Sequence, residues 1–346
     1  MNPMTKLISS MSLLMGTTIT ISSNHWMMAW AGLEINTLAI IPFISKSHHP
    51  RAIEATIKYF LVQATASTLI LFSSMINAQF TGQWDISQLT HPMSCLMLTT
   101  AISMKLGLVP FHFWFPEVLQ GTPMITALLL STMMKLPPIT IIFLTAPSLN
   151  PTLLTCMAIA SAIIGGWMGL NQTQTRKILA FSSISHLGWM TIILTYNPKL
   201  TMMTFYLYSL MTAAIFLSLN TTNSTKLSTM MITWTKTPTL NASLMLTLLS
   251  LAGLPPLTGF LPKWLIIQEL TKQEMSTTAT IISMISLLSL FFYLRLAYCS
   301  TITLPPNTTN YMKQWHTNKP TSTLISTLTS LSTLMLPLSP MILAIT

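Results

Sequence analysis

Long apolar blocks, cut by charged residues and by clusters rich in Pro, Asn and Thr, set the pattern of this chain. A membrane-crossing helix needs about 20 mostly apolar residues. Read from one break to the next, the chain offers eleven such stretches, at approximately 5–23, 26–45, 58–79, 92–111, 123–146, 151–170, 178–198, 200–219, 243–268, 277–296 and 323–345. Lys6 just before the first apolar run is the start of a signal-peptide pattern, but no small-residue cleavage site follows and the second block begins at once, so the first is expected to be a retained helix. The polar stretches 220–240 and 297–322 are expected to be long loops, and no segment has the makings of a soluble domain. The pattern predicts an all-α polytopic membrane protein.

Composition sharpens this. Of 346 residues, 51% are apolar and only 6% charged, against roughly 25% charged in a soluble domain. So few charges cannot cover a water-facing exterior, and a mean hydropathy of +0.62 points to lipid. The formal net charge of +10 is not the mark of a nucleic-acid binder, because the longest basic run is Arg176-Lys177. The sign of the charge bears on orientation instead. Lys6, Lys46, Arg51, Lys58, Arg176, Lys177, Lys226, Lys236, Arg295, Lys313 and Lys319 would all lie on the N-terminal side of an eleven-span chain, and only Lys199 and Lys272 on the other. Basic residues gather on the side from which a membrane protein is inserted. The N-terminus is therefore expected in the cytoplasm or its equivalent, the mitochondrial matrix.

Three lysines, Lys105, Lys135 and Lys263, remain inside the apolar blocks, with one carboxylate, Glu34, in the second. An ionisable group at mid-bilayer costs about 2.5–3.5 kcal/mol even on a lenient scale, so such groups face the interior and serve conduction or binding. The plain alternative is a lysine that snorkels to the interface or makes a structural ion pair. Histidines at His112 and His186 could relay protons or simply pack. Trp26, Trp30, Trp84, Trp114 and Trp234 near span ends read as interfacial anchors. Cys95, Cys156 and Cys299 form no CxxC pair, His48-His49 lacks further metal ligands, and no phosphate-binding glycine loop occurs.

The segment from Gly107 to Glu117 repeats in outline from Gly253 to Lys263: Gly, Leu, Pro and Pro match at a constant offset of 146. The two segments fall in the fourth and ninth spans, the same place in two five-helix halves, and an odd number of helices turns the second half upside down. Proline at Pro110 and Pro256 removes a backbone donor and breaks the helix. Inverted repeats with broken helices at matching positions point to a midplane transport site. The expected organisation is a first five-helix repeat over 1–146, a second, inverted one over 147–298, and a loop with a C-terminal transmembrane helix over 299–346.

Three stretches carry a resemblance: Lys105 to Trp114 (KLGLVPFHFW), Asn171 to Trp189 (NQTQTRKILAFSSISHLGW) and Gly253 to Trp264 (GLPPLTGFLPKW). Together with Ala31-Gly32-Leu33-Glu34 they resemble the antiporter-like subunits of respiratory complex I, the NADH:ubiquinone oxidoreductase, in the animal mitochondrial form. Bacterial members carry fourteen such helices and the animal form lacks the first three, which agrees with eleven. The resemblance implies a proton-translocating membrane-arm module in the mitochondrial inner membrane, N-terminus in the matrix and C-terminus in the intermembrane space. It gives roles to Glu34 on the first repeat's second helix, Lys105 on its broken helix, Lys135 as the connecting lysine, His186 as a link of the polar axis and Lys263 on the second broken helix, where some members have glutamate. His112 would be an accessory relay. Glu34 and Lys105 are expected to form an ion pair. No cofactor belongs to this chain on this reading; FMN, iron–sulfur clusters and ubiquinone are expected elsewhere in the complex. Partners would be neighbouring antiporter-like and other membrane-arm subunits and phospholipids such as cardiolipin, with no nucleic acid. Two other readings are a stand-alone cation/proton antiporter, which would purify alone, and a scaffold whose pump has lapsed, which would tolerate neutralising Lys105 and Glu34.

Overall fold

A computed structural model describes residues 3–47, 49–233, 237–301 and 323–339. Trp234, Lys236, Lys313, Lys319, most of the expected loop 297–322 and the end of the last expected span lie outside the described residues. Helices make up the described chain, with no strand among the described residues beyond two isolated bridges, His25 to Asp85 and Gln174 to Lys226. Contacts divide the chain into two compact units, Met1–Ser161 and Ala162–Thr346.

The first unit holds α1 (Pro3–Ser22), α2 (Trp26–Ile44), α3 (Pro50–Thr81), α4 (Pro92–Leu106), α5 (Trp114–Gly121), α6 (Met124–Ser131), α7 (Leu136–Thr145) and the larger part of α8 (Pro151–Gly169). Here α3 packs on α2, α4 and α5, and α7 on α1, α2 and α4. The second holds α9 (Thr175–Ile193), α10 (Pro198–Thr222), α11 (Leu227–Thr233), α12 (Pro238–Ala252), α13 (Phe260–Lys272), α14 (Ser276–Thr301) and α15 (Thr323–Leu334). In it α10 packs on α9, α12, α13 and α15, and α14 on α9, α11, α12 and α13.

Helix starts follow local chemistry. Proline at the first helical position of α3, α4, α10 and α12 costs nothing, because its missing N–H would be unpaired there anyway. The His25 and His49 side chains accept from the Met27 and Arg51 N–H groups and cap α2 and α3. That start makes α3 longer than its apolar block, since Arg51, Glu54 and Lys58 continue the helix outward as a charged first stretch. The expected loop 220–240 also differs: it contains α11, whose Met230 is buried and whose Leu227 N–H donates to Thr173 O at 3.1 Å. Two backbone bonds to the 173–175 segment hold what composition alone marks as polar linker.

Six helical spans among the described residues are long and apolar enough to cross a bilayer: Trp26–Ile44, Pro50–Thr81, Met124–Ser148, Pro151–Gly169, Pro198–Thr222 and Ser276–Thr301. Of the other expected crossings, α1 and α9 have 20 and 19 residues but are less apolar. The fourth and ninth are broken helices.

Candidate functional site

The two broken helices are built alike. α4 and α12 each have 15 residues, which at a 1.5 Å rise is about 22 Å, short of a ~30 Å hydrocarbon core. Both start at proline and end at a glycine in the left-handed region, Gly107 at φ 77° and Gly253 at φ 81°. Start, last residue and glycine all correspond at the offset of 146 seen in the sequence (Pro92 and Pro238, Leu106 and Ala252, Gly107 and Gly253). After each glycine the chain turns, through residues 107–113 with Pro110 and through 253–259 with Pro255 and Pro256, before α5 and α13 begin.

A helix that stops this way leaves its last carbonyls without intrahelical donors, and inside a membrane these need partners from the protein or from water. Side chains from the second half of each broken helix supply part of the answer. The Trp114 indole N–H donates to Met104 O at 3.2 Å. Lys263 Nζ donates to Ala252 O at 2.7 Å and lies 5.9 Å from the centroid of the Trp189 ring. In the first unit Gln63, from α3, adds a bond at 3.4 Å from its amide to Lys105 O. Trp114 is therefore no interfacial anchor: it is 8% exposed, and Trp26 is 1% exposed. Their indoles look like interface residues from sequence position alone, but the interior of the unit takes both; among the described residues the exposed indoles are Trp167 and Trp264.

Lys105 lies in the last turn of α4, 5% exposed. Lys135 is 3% exposed and ends a short 3₁₀ turn, Met133–Lys135, set between α6 and α7. Pro137 and Pro138 follow at once and carry no N–H, so the carbonyls of Met133 and Met134 cannot be bonded in α-helical register; Met133 O takes the Leu136 N–H in a tighter turn instead. Lys135 thus stands at a third interruption, which the glycine-proline pattern does not reveal. Its Nζ lies 4.6 Å from the centroid of the Phe115 ring, a cation–π distance. Lys105 and Lys135 line one small cavity of about 20 Å³, together with Thr37, Tyr59, Gln63 and Phe115.

Glu34 is placed differently from expectation. It makes no contact ion pair with Lys105: its half-buried carboxylate accepts a hydrogen bond from the Thr37 hydroxyl on its own helix at 3.3 Å. The ion pairs among the described residues are peripheral, Lys58 with Glu54 and with Glu117, and Lys272 with Glu269. His112 is buried in the turn ahead of α5, its ring centroid 4.1 Å from that of Phe113, and it is not among the residues lining the lysine cavity.

In the second unit His186, from the middle of α9, and Lys263 line another small cavity, of about 20 Å³, with Trp189 and Tyr208. His186 Nε2 is 3.4 Å from the Tyr293 hydroxyl, and its ring is 5.3 Å from that of Tyr208. Tyr59, Tyr208 and Tyr293 are missed by the sequence reading, which weighs only charged residues and histidines as proton carriers. An aromatic hydroxyl within an apolar block was the available signal. No group of three or more His, Cys, Asp or Glu side chains with metal-binding geometry occurs among the described residues.

Helices that stop short and restart, with a lysine withdrawn from solvent at each and a small cavity beside it, define an antiporter-type membrane subunit. Residues 23–289 match the family described as NADH:quinone oxidoreductase/Mrp antiporter, transmembrane, and residues 290–343 match NADH dehydrogenase subunit 2 C-terminus. The chain is 75% identical over 344 residues to the NADH-ubiquinone oxidoreductase chain 2 of Struthio camelus, with 99% of each chain covered. It is also 75% identical over 342 residues to that of Gallus gallus, again with 99% of each covered. Its fold is similar to a chain of respiratory complex I from Thermus thermophilus (TM-score 0.83, 24% identity, 96% of this chain and 79% of that one). It is similar as well to a chain of the Mrp complex from Dietzia sp. (TM-score 0.82, 17% identity, 96% and 74%). The chain belongs to the NADH-ubiquinone oxidoreductase chain 2 family.

Proposed function

We propose that this chain is the antiporter-like membrane-arm subunit of respiratory complex I that moves protons through Glu34, Lys105, Lys135, His186 and Lys263 while electrons pass from NADH to ubiquinone elsewhere in the assembly. The observation that carries the proposal is that Lys105 and Lys135, each buried and each at a helix interruption, line a single cavity. Two ammonium groups on one small cavity repel, and each is costly at this depth. A proton arriving on one therefore favours departure of the other, and the Glu34 charge, acting from outside contact, sets the balance at Lys105. His186 and Lys263 serve the second cavity in the same way, with His112 as an accessory relay.

FMN, iron–sulfur clusters and ubiquinone belong to other subunits in this account, and the partners are the remaining membrane-arm subunits with phospholipids such as cardiolipin. The likeness to the chain 2 relatives supports the mitochondrial inner membrane, and the distribution of basic residues favours the N-terminus in the matrix and the C-terminus in the intermembrane space. Cysteine labelling from each side tests the orientation: residues 46–57 should react from the matrix and residues 81–91 from the opposite face. The functional test is Lys105→Met and Lys135→Met in the assembled complex. Each should slow ubiquinone-linked turnover while NADH oxidation by an artificial acceptor stays intact. Normal ubiquinone-linked turnover in both variants would retire the proposal, and a chain that purifies alone and exchanges cations for protons would point to an independent antiporter.

A further inference from the structure

One polar group on the lysine cavity has no assigned use. Tyr59, on α3, is 1% exposed and lines that cavity, and among the described residues nothing hydrogen-bonds its hydroxyl. Its ring needs no hydroxyl for its packing, which is edge-on against Trp114 with the centroids 5.8 Å apart. A phenylalanine would pack equally well and would spare the cost of burying an unpaired hydroxyl. One turn further along α3, Gln63 lines the same cavity and donates to the backbone carbonyl of Lys105. α3 thus brings a hydroxyl and an amide to the cavity shared by Lys105 and Lys135.

We infer that the Tyr59 hydroxyl is a proton-relay group of this cavity, joined through water to Lys105 on one side and Lys135 on the other. The inference rests on the proposal that protons travel through these two lysines. Balance is simple. The Lys105 ammonium gives a proton to a water, and that water passes one to a lone pair of the Tyr59 oxygen. As the new O–H bond forms, the original one breaks and its proton leaves through a second water to the Lys135 amine. The phenol ends neutral and unchanged, and one proton has moved from one lysine to the other. A hydroxyl suits this step because it accepts and donates at once.

The experiment uses the assembled complex in proteoliposomes with Tyr59→Phe beside Lys105→Met. Tyr59→Phe should assemble in normal amount and oxidise NADH with an artificial acceptor at the normal rate. Its ubiquinone-linked turnover should fall roughly threefold or more, with a larger solvent deuterium isotope effect, as expected when a positioned proton-transfer group is lost. Tyr59→Leu, which removes the ring as well, should also lower the amount assembled. If Tyr59→Phe keeps normal turnover and isotope effect while Lys105→Met is impaired, the relay is overturned and the lysine route stands. Reduced assembly of Tyr59→Phe with normal turnover per complex would likewise overturn it, in favour of a packing role. If Lys105→Met is also normal, the lysine route itself fails.

Discussion

Gly253 and Gly107 offer a controlled comparison of backbone strain with lysine placement. Both end a 15-residue half-helix in the left-handed region, at φ 81° and φ 77°. Alanine at either should cost about 1–2 kcal/mol for holding a Cβ in that conformation. Their surroundings differ. A Cβ at Gly253 would lie 3.0 Å from both Cδ and Nζ of Lys263, whereas at Gly107 it would meet nothing nearer than 3.6 Å. Gly253→Ala therefore asks Lys263 to give by a few tenths of an ångström, which strains the bond it donates to Ala252 O at 2.7 Å. A charge-assisted bond of this kind is worth about 1.5–3 kcal/mol. The expected total is more than about 2 and up to about 5 kcal/mol at Gly253, the upper figure if the bond is lost outright, against about 1–2 kcal/mol at Gly107. The assay is the fraction of complex that survives a graded thermal challenge, read together with ubiquinone-linked turnover of the surviving fraction. Gly107→Ala should lower survival modestly and leave turnover per complex within about twofold, while Gly253→Ala should lower both, turnover by roughly tenfold for each 1.4 kcal/mol lost at the working geometry. In a Lys263→Met background the extra cost of Gly253→Ala should disappear. Equal losses at the two glycines, or an unchanged extra cost without Lys263, would refute this account of the second break.

Three further outcomes are expected from the geometry. Trp114→Phe keeps a ring beside Tyr59 but leaves Met104 O without its indole donor, so the complex should lose about 1–3 kcal/mol of stability, visible as earlier thermal inactivation. Pro137→Ala restores an N–H able to reach Met133 O, which should regularise the turn at Lys135 and slow coupled turnover with little loss of assembly; steady-state kinetics on purified complex checks both. Glu34→Gln should impair coupled turnover by less than the ~3–5 kcal/mol expected on breaking a buried contact pair, and its effect should be less than additive with Lys105→Met, as a double-mutant cycle on turnover would show.

Much of the architecture was legible in the residues. Gly107-Leu108 and Gly253-Leu254, each with proline close behind, mark where helices must stop, since glycine accepts a left-handed cap and proline cannot continue the ladder. The scarcity of charge drew attention to Lys105, Lys135 and Lys263, because a lysine in an apolar block has few bland explanations. Other features were hidden for physical reasons. The interruption at Lys135 carries no glycine; its signal is Pro137-Pro138, which at a helix start is ordinary and only in mid-span becomes a defect. Trp114 sits where an interfacial anchor would, and sequence position cannot say that its indole reaches a carbonyl ten residues back. α3 begins eight residues before its apolar block because His49 and Pro50 start a helix even where the first turns are charged. The Glu34 to Lys105 pairing was an expectation from mutual need, but Thr37, three residues further along the same helix, gives the carboxylate a partner without it. Tyr59 belongs to no motif and becomes notable only once its hydroxyl is seen beside the lysine cavity.

The central claim is that protons pass through the cavity lined by Lys105 and Lys135. Its most direct test is simultaneous measurement of proton translocation and NADH oxidation by assembled complex carrying Lys135→Met, reconstituted with ubiquinone in sealed vesicles. The account predicts that proton translocation and ubiquinone-linked NADH oxidation both fall well below wild type, while oxidation by an artificial acceptor is unchanged. Proton translocation at the wild-type rate and the wild-type yield per NADH would contradict it.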